Sequence, residues 1–129
     1  LTEVTRGIMP GGGGTQTLAR VVGERRAKEI ILTGRPFSAE QALEWGVINR
    51  ICEPGALMAD VAETARAICD NAPLSVRQAK KSIHQGLQMD LTRGLAFEIE
   101  AYNRLIDTED RLEGIAAFNE KRKPQFKGR

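Results

Sequence analysis

Hydrophobic positions follow a helical period over the last two-thirds of the chain. Apolar residues recur every three or four positions over residues 55–71, 73–87 and 90–106, and again after Thr108. This spacing predicts four amphipathic helices, each with one apolar face. The apolar faces of the first three consist of Leu57, Met58, Val61, Ala62, Ala65, Ile68 and Cys69; of Val76, Ala79, Ile83 and Leu87; and of Leu91, Leu95, Ile99, Tyr102 and Ile106.

The first third of the chain is less regular. Residues 1–10 include apolar side chains but no helical period, which predicts an active-site loop or a short strand. Four consecutive glycines, Gly11–Gly14, follow and give the backbone unusual freedom. Two short helices are predicted over residues 15–22 and 24–32, with the second directing inward Ala27, Ile30 and Ile31.

Local capping signals define further element boundaries. Ser38 followed by Gln41 is a capping box, which predicts a helix that runs to Gly46. The β-branched segment Val47–Ile51 predicts the one strand of the chain. Asp90 is the expected N-cap of the third long helix. The fold is therefore predicted to be mainly α.

The chain divides by pattern into a loop-rich part, residues 1–53, and a helical part, residues 54–129, joined at Glu53-Pro54-Gly55. Of the 129 residues, 41% are apolar and 28% are charged, as in ordinary soluble domains. No apolar run approaches the roughly 18 residues of a membrane span. The start at Leu1 rather than Met indicates a fragment. Composition predicts a soluble cytoplasmic protein, or a mitochondrial matrix protein in a eukaryote.

Cysteine and histidine usage gives no indication of metal or nucleophilic chemistry. Cys52 and Cys69 have no CxxC spacing and are expected to be reduced, partly buried thiols. His84, the only histidine, follows Ile83 on a predicted helix, without Cys, Asp or Glu in a ligand pattern. We therefore expect no metal site, and at position 84 a surface histidine or one whose hydrogen bonds are satisfied within the helix.

Charge is concentrated at the end of the chain but is small overall. The net charge of +2 is too low to argue for nucleic acid by itself. Such a basic tail is usually solvated, although it can also neutralise the phosphates of a ligand or an RNA. Its cationic residues are Lys121, Arg122, Lys123, Lys127 and Arg129.

Glu3 and the glycine run are the candidates for chemistry in the first third. A carboxylate that is poorly hydrated among apolar neighbours can act in proton transfer. Open N–H groups of the glycines can hold an anion or a polarised water molecule. The spacing fits neither GxGxxG nor GxxxxGK[ST], which argues against a nucleotide-phosphate loop. Two plainer interpretations remain open at this point: a solvated loop glutamate, and a close-packed glycine turn.

The order of these residues resembles the crotonase family of enoyl-CoA hydratases and isomerases. The resemblance runs from Glu3 through Pro-Gly-Gly-Gly-Gly-Thr-Gln and continues without obvious gaps to the end of the chain. It includes Leu32-Thr33-Gly34, Ala39-Glu40, Trp45-Gly46-Val47, Asp110-Arg111-Leu112-Glu113-Gly114 and Glu120-Lys121-Arg122-Lys123-Pro124. The resemblance implies the C-terminal half of a subunit: the end of an α/β spiral core and a helical oligomerisation domain.

The resemblance also implies chemistry, the addition of water to a 2-enoyl-CoA. Glu3 matches the second of two glutamates, which transfers a proton at the α-carbon, and Gly11 matches the glycine whose N–H holds the water. Tyr102 and Phe118 match positions that line the acyl or CoA region, and Lys121 matches a residue that reaches the CoA phosphates of a neighbouring subunit. Coenzyme A is then part of the substrate, and no separate cofactor is expected.

Further implications concern assembly and activity. The family's first glutamate and oxyanion-hole N–H groups lie upstream of Leu1, so the 129 residues alone are expected to be inactive. Trimers that pair into hexamers would cover the apolar helix faces; an intramolecular bundle is the alternative. The functional alternatives are a Δ3-Δ2 enoyl-CoA isomerase and a methylglutaconyl-CoA hydratase. The alternative from a different functional class is an RNA-binding module or a non-catalytic assembly module.

Overall fold

The structure, a computed structural model, describes residues 1–129 and contains seven α-helices, one short 3₁₀ helix at Glu3–Arg6 and no strand. The mainly α prediction is confirmed. The chain forms two compact units, residues 1–57 and 58–129. None of the helices combines the length and hydrophobicity needed to cross a bilayer. The α-helices are α1 Gly14–Val22, α2 Glu24–Thr33, α3 Ala39–Glu44, α4 Leu57–Cys69, α5 Pro73–Gly86, α6 Leu91–Asn103 and α7 Glu109–Glu120.

The first unit is built on the packing of α1 against α2. Partly buried side chains from the 3₁₀ helix, from α1 and from the segment after α2 surround a small apolar core. Trp45 closes one side of this core, with its ring 5.3 Å from the Phe37 ring and 4.5 Å from the Arg26 guanidinium carbon. The inward direction predicted for α2 is confirmed; the buried core consists of Leu18, Ala27, Ile30 and Ile31.

Two predictions for the first unit are wrong. Val47–Ile51 is not a strand, because the N–H groups of Val47 and Ile48 both donate to the carbonyl of Ala42, at 2.8 and 3.3 Å. These bonds close a turn behind α3 and direct Val47 toward the core. Residues 1–10 are not a plain loop or strand either, since they contain the 3₁₀ helix Glu3–Arg6.

The predicted caps are confirmed. The Ser38 hydroxyl accepts the N–H of Gln41 at 3.2 Å, while the Gln41 side chain accepts the N–H of Ser38 at 2.9 Å. Asp90 caps α6 by accepting the N–H of Arg93 at 3.0 Å. These bonds satisfy N–H groups that have no partner inside their own helix.

The second unit contains a helical hairpin of α5 and α6. The Lys81 ammonium lies 5.9 Å from the Phe97 ring centre across this hairpin, and Ala101 of α6 is buried. Most of the predicted apolar faces remain exposed: α4 and α5 bury no residue, and Leu87 and Leu91 are 75% and 78% exposed. The stripes exist as predicted, but the chain itself does not cover them.

The C-terminal segment, residues 121–129, folds back along α7 instead of extending into solvent. The Asp110 carboxylate accepts the N–H groups of Lys127 and Gly128 at 2.6 and 2.8 Å. The Asp110 N–H donates to the carbonyl of Arg129 at 3.1 Å. The Phe126 ring lies against Gly114, with Cε1 3.6 Å from where a Cβ would stand. The basic side chains are largely exposed, as expected for a solvated tail, but the backbone of the segment is bound to α7.

Candidate functional site

Glu3 carries a carboxylate oxygen that is shielded from solvent. The residue as a whole is half-buried, yet its Oε2 is buried and has no hydrogen-bond partner. Removing a carboxylate oxygen from water without a partner is costly, so proteins rarely leave one in this state. The interpretation of Glu3 as a freely solvated loop glutamate does not describe this oxygen. The carboxylate retains an unused acceptor.

The backbone around Glu3 is fixed by hydrogen bonds within the first eight residues. The N–H and the hydroxyl of Thr5 both donate to the carbonyl of Thr2, at 3.0 and 2.7 Å. The N–H of Ile8 donates to the carbonyl of Glu3 at 3.3 Å. Gly7 ends the 3₁₀ helix with a φ of 76°, a conformation that suits glycine.

Packing against α2 fixes the 3₁₀ helix within the first unit. Val4 contributes its side chain to the core, so the neighbouring Glu3 is attached to the best-packed part of this unit. Gly34, which ends α2 with a φ of 60°, allows the close approach. A Cβ at Gly34 would stand 2.8 Å from Thr5 Cγ2 and 3.3 Å from Val4 Cγ2.

The glycine run combines a close-packed turn with open backbone donors. Gly14 is the close-packed position, where a Cβ would meet Pro10 Cβ at 3.1 Å. Its N–H donates to the carbonyl of Gly11 at 3.0 Å. The N–H groups of Gly11, Gly12 and Gly13 donate to no backbone or side-chain acceptor. Space around Gly11 is open, since a Cβ there would meet no atom within 4 Å.

In the second unit, Tyr102 and Phe118 line the same groove. The groove has a volume of about 390 Å³, and its apolar wall also includes Leu105, Ile115 and Phe126. Tyr102 and Phe118 are 59% and 84% exposed, so both rings have large faces available for contact. The structure thus brings together two of the three candidate substrate-binding residues of this unit.

Lys121, the third candidate, is not among the groove-lining residues. It follows α7, is exposed, and forms no ion pair, whereas the other four cations of the segment do. Arg122 bonds to Glu113 and Glu120; Lys123 pairs with Asp70; Lys127 and Arg129 pair with Glu109. Lys121 is therefore the one cation of the segment that is not paired within the chain.

Sequence reasoning missed two acids that hold the C-terminal segment. The hydrogen bond from Arg122, reinforced by the N–H of Gln125, lowers the pKa of Glu113 to about 2. Asp110 is 3% exposed, the one buried charged residue of the chain. Asp110, Glu113, Gly114 and Ala117 share one helical face. Two acids beside two small residues on one helical face leave room for a backbone segment and offer acceptors for its N–H groups. This was the available signal that the C-terminal segment lies along α7.

The chain belongs to the enoyl-CoA hydratase/isomerase family, which matches residues 1–129. Its sequence corresponds to the C-terminal half of the family members, and its helices correspond to their C-terminal helical part. The resemblance found in the sequence is thereby confirmed. No metal-binding group of His, Cys, Asp and Glu side chains is present in the structure.

Individual relatives agree with this assignment. The chain is 44% identical over 128 residues to a short-chain-enoyl-CoA hydratase of Clostridium acetobutylicum, covering 98% of this chain and 49% of the relative. It is 41% identical over 132 residues to the mitochondrial methylglutaconyl-CoA hydratase of Mus musculus, covering 99% and 42%. The crystal structure of an enoyl-CoA hydratase from Bacillus anthracis superposes with a TM-score of 0.98 at 48% identity, covering 100% and 50%. The chain spans about half the length of the curated relatives it matches.

Proposed function

We propose that the chain forms the C-terminal half of a 2-enoyl-CoA hydratase subunit in which Glu3 is a general acid/base. In this reaction the oxygen of a water molecule bonds to the β-carbon of the thioester. One hydrogen of that water is released as a proton, a proton is added to the α-carbon, and the double bond becomes single. Glu3 would transfer the proton at the α-carbon, in both directions of the reaction.

The buried, unpartnered Oε2 of Glu3 is the observation that carries this proposal. A carboxylate oxygen held away from water, on backbone attached to the core, has a lone pair available for a proton. A surface glutamate would exchange its proton with solvent and would not be fixed in direction. The arrangement therefore suits a group that transfers a proton to a bound molecule.

Gly11 is proposed to orient the water molecule through its backbone N–H. That N–H has no acceptor within the chain, and the space around Gly11 is open. An unused N–H directed into open space binds a polar ligand without first breaking another bond. A water molecule held in this way would need no conformational change before it reacts.

The second unit is proposed to contact an acyl-CoA thioester within the oligomer. The groove beside Tyr102 and Phe118 offers apolar and aromatic surface, which suits an acyl chain or the thioester's pantetheine arm. Lys121 carries the unpaired positive charge that phosphate groups of coenzyme A require. The exposed stripes of α4, α5 and α6 favour a homo-oligomer, a trimer or a dimer of trimers, in which these faces are covered.

Two related reactions and one different class compete with this proposal. The 41% identity to a methylglutaconyl-CoA hydratase favours a branched substrate as the second candidate. A Δ3-Δ2 isomerase is the third candidate, since one carboxylate is enough to move a proton between two carbons. RNA binding by the basic segment is disfavoured, because four of its five cations pair with acids of the same chain.

The test is turnover by the intact subunit of crotonyl-CoA, 3-methylglutaconyl-CoA and 3-hexenoyl-CoA. The proposal predicts hydration of crotonyl-CoA, and in Glu3→Gln a fall in kcat of about 10²–10⁴-fold with little change in KM. Glu29→Gln, which alters an exposed acid on α2, is the matched control and is expected to keep full activity. Isomerisation of 3-hexenoyl-CoA without hydration of either other substrate would overturn the hydratase proposal.

A further inference from the structure

Lys121 has a backbone conformation that is unusual for a side-chain-bearing residue. Its φ and ψ are 54° and 38°, in the left-handed region, and it is the only non-glycine residue of the chain with a positive φ. Glycine is the residue usually found where a helix ends in this way. Gly7 and Gly34 occupy the corresponding positions after the 3₁₀ helix and α2. A lysine here is strained, and strain of this kind is commonly found at functional sites.

The residues on both sides of Lys121 are held by a cluster of charged hydrogen bonds. The Arg122 guanidinium donates twice to the Glu113 carboxylate, at 2.6 and 2.9 Å, and once to Glu120 at 2.5 Å. Glu113 also accepts the N–H of Gln125 at 2.7 Å. The Arg122 N–H donates to the carbonyl of Ala117 at 3.0 Å. The backbone immediately before and after Lys121 is therefore fixed, while its own side chain bonds to nothing.

We propose that Arg122 and Glu113 are positioning residues, which hold Lys121 in its left-handed conformation so that its ammonium group is presented to the phosphates of bound coenzyme A. This inference rests on the proposed function. The two parallel hydrogen bonds of an Arg–carboxylate pair fix both the distance between the two groups and their relative orientation. A single contact from a lysine fixes only the distance. The Arg122–Glu113 pair fixes the backbone next to Lys121, and the Lys121 ammonium group stays available to the ligand.

Kinetics of the intact subunit test the inference with two substrates, crotonyl-CoA and crotonyl-pantetheine. Glu113→Gln and Lys121→Asn are each expected to raise the KM for crotonyl-CoA about fivefold, with kcat within about twofold. Asn tolerates the left-handed conformation, so Lys121→Asn removes the charge without added strain. Neither variant should change the KM for crotonyl-pantetheine, which lacks the nucleotide phosphates. The double variant should be no worse than either single variant, because both remove the same contact.

Matched controls separate positioning from general stability. Glu109→Gln breaks the pairs with Lys127 and Arg129 further along the same segment and should leave both KM values unchanged. Arg122→Lys, which keeps the charge but loses the two parallel bonds, replaces Glu113→Gln if that variant does not fold. Arg122→Lys should raise the KM for crotonyl-CoA and leave the KM for crotonyl-pantetheine unchanged. Lys121→Gly should raise the Tm by about 2 °C, because glycine relieves the strain.

Each contradictory outcome identifies a different error. An unchanged KM for crotonyl-CoA in Lys121→Asn would overturn the phosphate-binding role within the proposed function. A raised KM in Lys121→Asn together with a normal KM in Glu113→Gln and Arg122→Lys would overturn the positioning role alone. Additive effects in the double variant, or a lower Tm in Lys121→Gly, would also contradict the inference.

Discussion

Gly34 lies directly against Thr5, so that a Cβ on Gly34 would stand 2.8 Å from Cγ2 of Thr5. This is closer than side-chain atoms pack, and Gly34 also has a φ of 60°. The contact joins the end of α2 to the 3₁₀ helix that carries Glu3. The position of the proposed catalytic carboxylate therefore depends on a residue without a side chain.

Gly34→Ala should destabilise the protein by about 2 kcal/mol, from backbone strain and from the clash with Thr5. It should also lower kcat, because the 3₁₀ helix must move. Gly46→Ala is the matched control: φ there is 73°, but a Cβ would meet no atom within 4 Å. We expect Gly46→Ala to cost about 1 kcal/mol and to leave kcat unchanged. Urea unfolding and steady-state kinetics measure both effects, and equal kcat values in the two variants would contradict the account.

Alanine substitutions at two positions of the glycine run should also differ in their effects on stability and on kcat. Gly13, with a φ of 89°, is the residue before α1, and Gly13→Ala should lower the free energy of unfolding by about 1 kcal/mol. Gly11 lies in open space without a positive φ, so Gly11→Ala should change stability by less than about 0.5 kcal/mol. The methyl group should nevertheless lower kcat by crowding the proposed water position. Thermal unfolding and turnover of crotonyl-CoA provide the comparison; a large loss of stability in Gly11→Ala would be inconsistent with the structure.

Among the acids that bind the C-terminal segment, Asp110 should be the one whose substitution destabilises the protein most. Its buried carboxylate accepts two backbone N–H groups, and Asp110→Asn replaces one accepting oxygen by an N–H₂ donor. Hydrogen bonds to charged groups contribute about 1.5–3 kcal/mol each, so a loss of about 2 kcal/mol is expected. Asp107→Asn, at an exposed position three residues earlier, should have almost no effect. Amide hydrogen exchange at Lys127 and Gly128 reports the release directly, and unchanged protection would refute the assigned contact.

Acid should release the segment at Glu113. Because Arg122 and then Gln125 lower the pKa of Glu113 to about 2 from the usual 4.5, the folded state favours its ionised form. The stabilisation is complete above about pH 4.5 and is lost as the pH falls toward 2. The amide signal of Gln125 should therefore titrate near pH 2 while the protein is folded, and Glu113→Gln should abolish this titration. A midpoint at the ordinary value would show that the contact with Arg122 does not persist in solution.

The sequence predicted the helices and their caps because these depend on neighbouring residues. Ser38 with Gln41 and Asp90 with Arg93 are separated by three positions, and their bonds follow from local geometry. The strand at Val47–Ile51 was wrong because β-branched residues favour a strand only where a partner strand exists. Here their N–H groups bond back to Ala42 instead.

The candidate site was predicted less completely. Glu3 and Gly11 were identifiable by motif, yet the buried Oε2 depends on how the 3₁₀ helix packs and could not be read from the sequence. The roles of Asp110 and Glu113 depend on bonds to residues nine to eighteen positions away. The C-terminal segment has no periodicity that would predict such a return along α7. The segment's own sequence therefore predicts a solvated tail and gives no indication that its backbone is bound.

The central claim, proton transfer by Glu3 at the α-carbon, is tested most directly by hydrogen exchange of butyryl-CoA in D₂O. Butyryl-CoA has no double bond to hydrate, so deuterium entering its α-carbon reports only on a base beside that carbon. We predict measurable exchange by the intact subunit, a rate lower by at least about 100-fold in Glu3→Gln, and an unchanged rate in Glu29→Gln. Equal exchange by the unmodified subunit and Glu3→Gln would contradict the account.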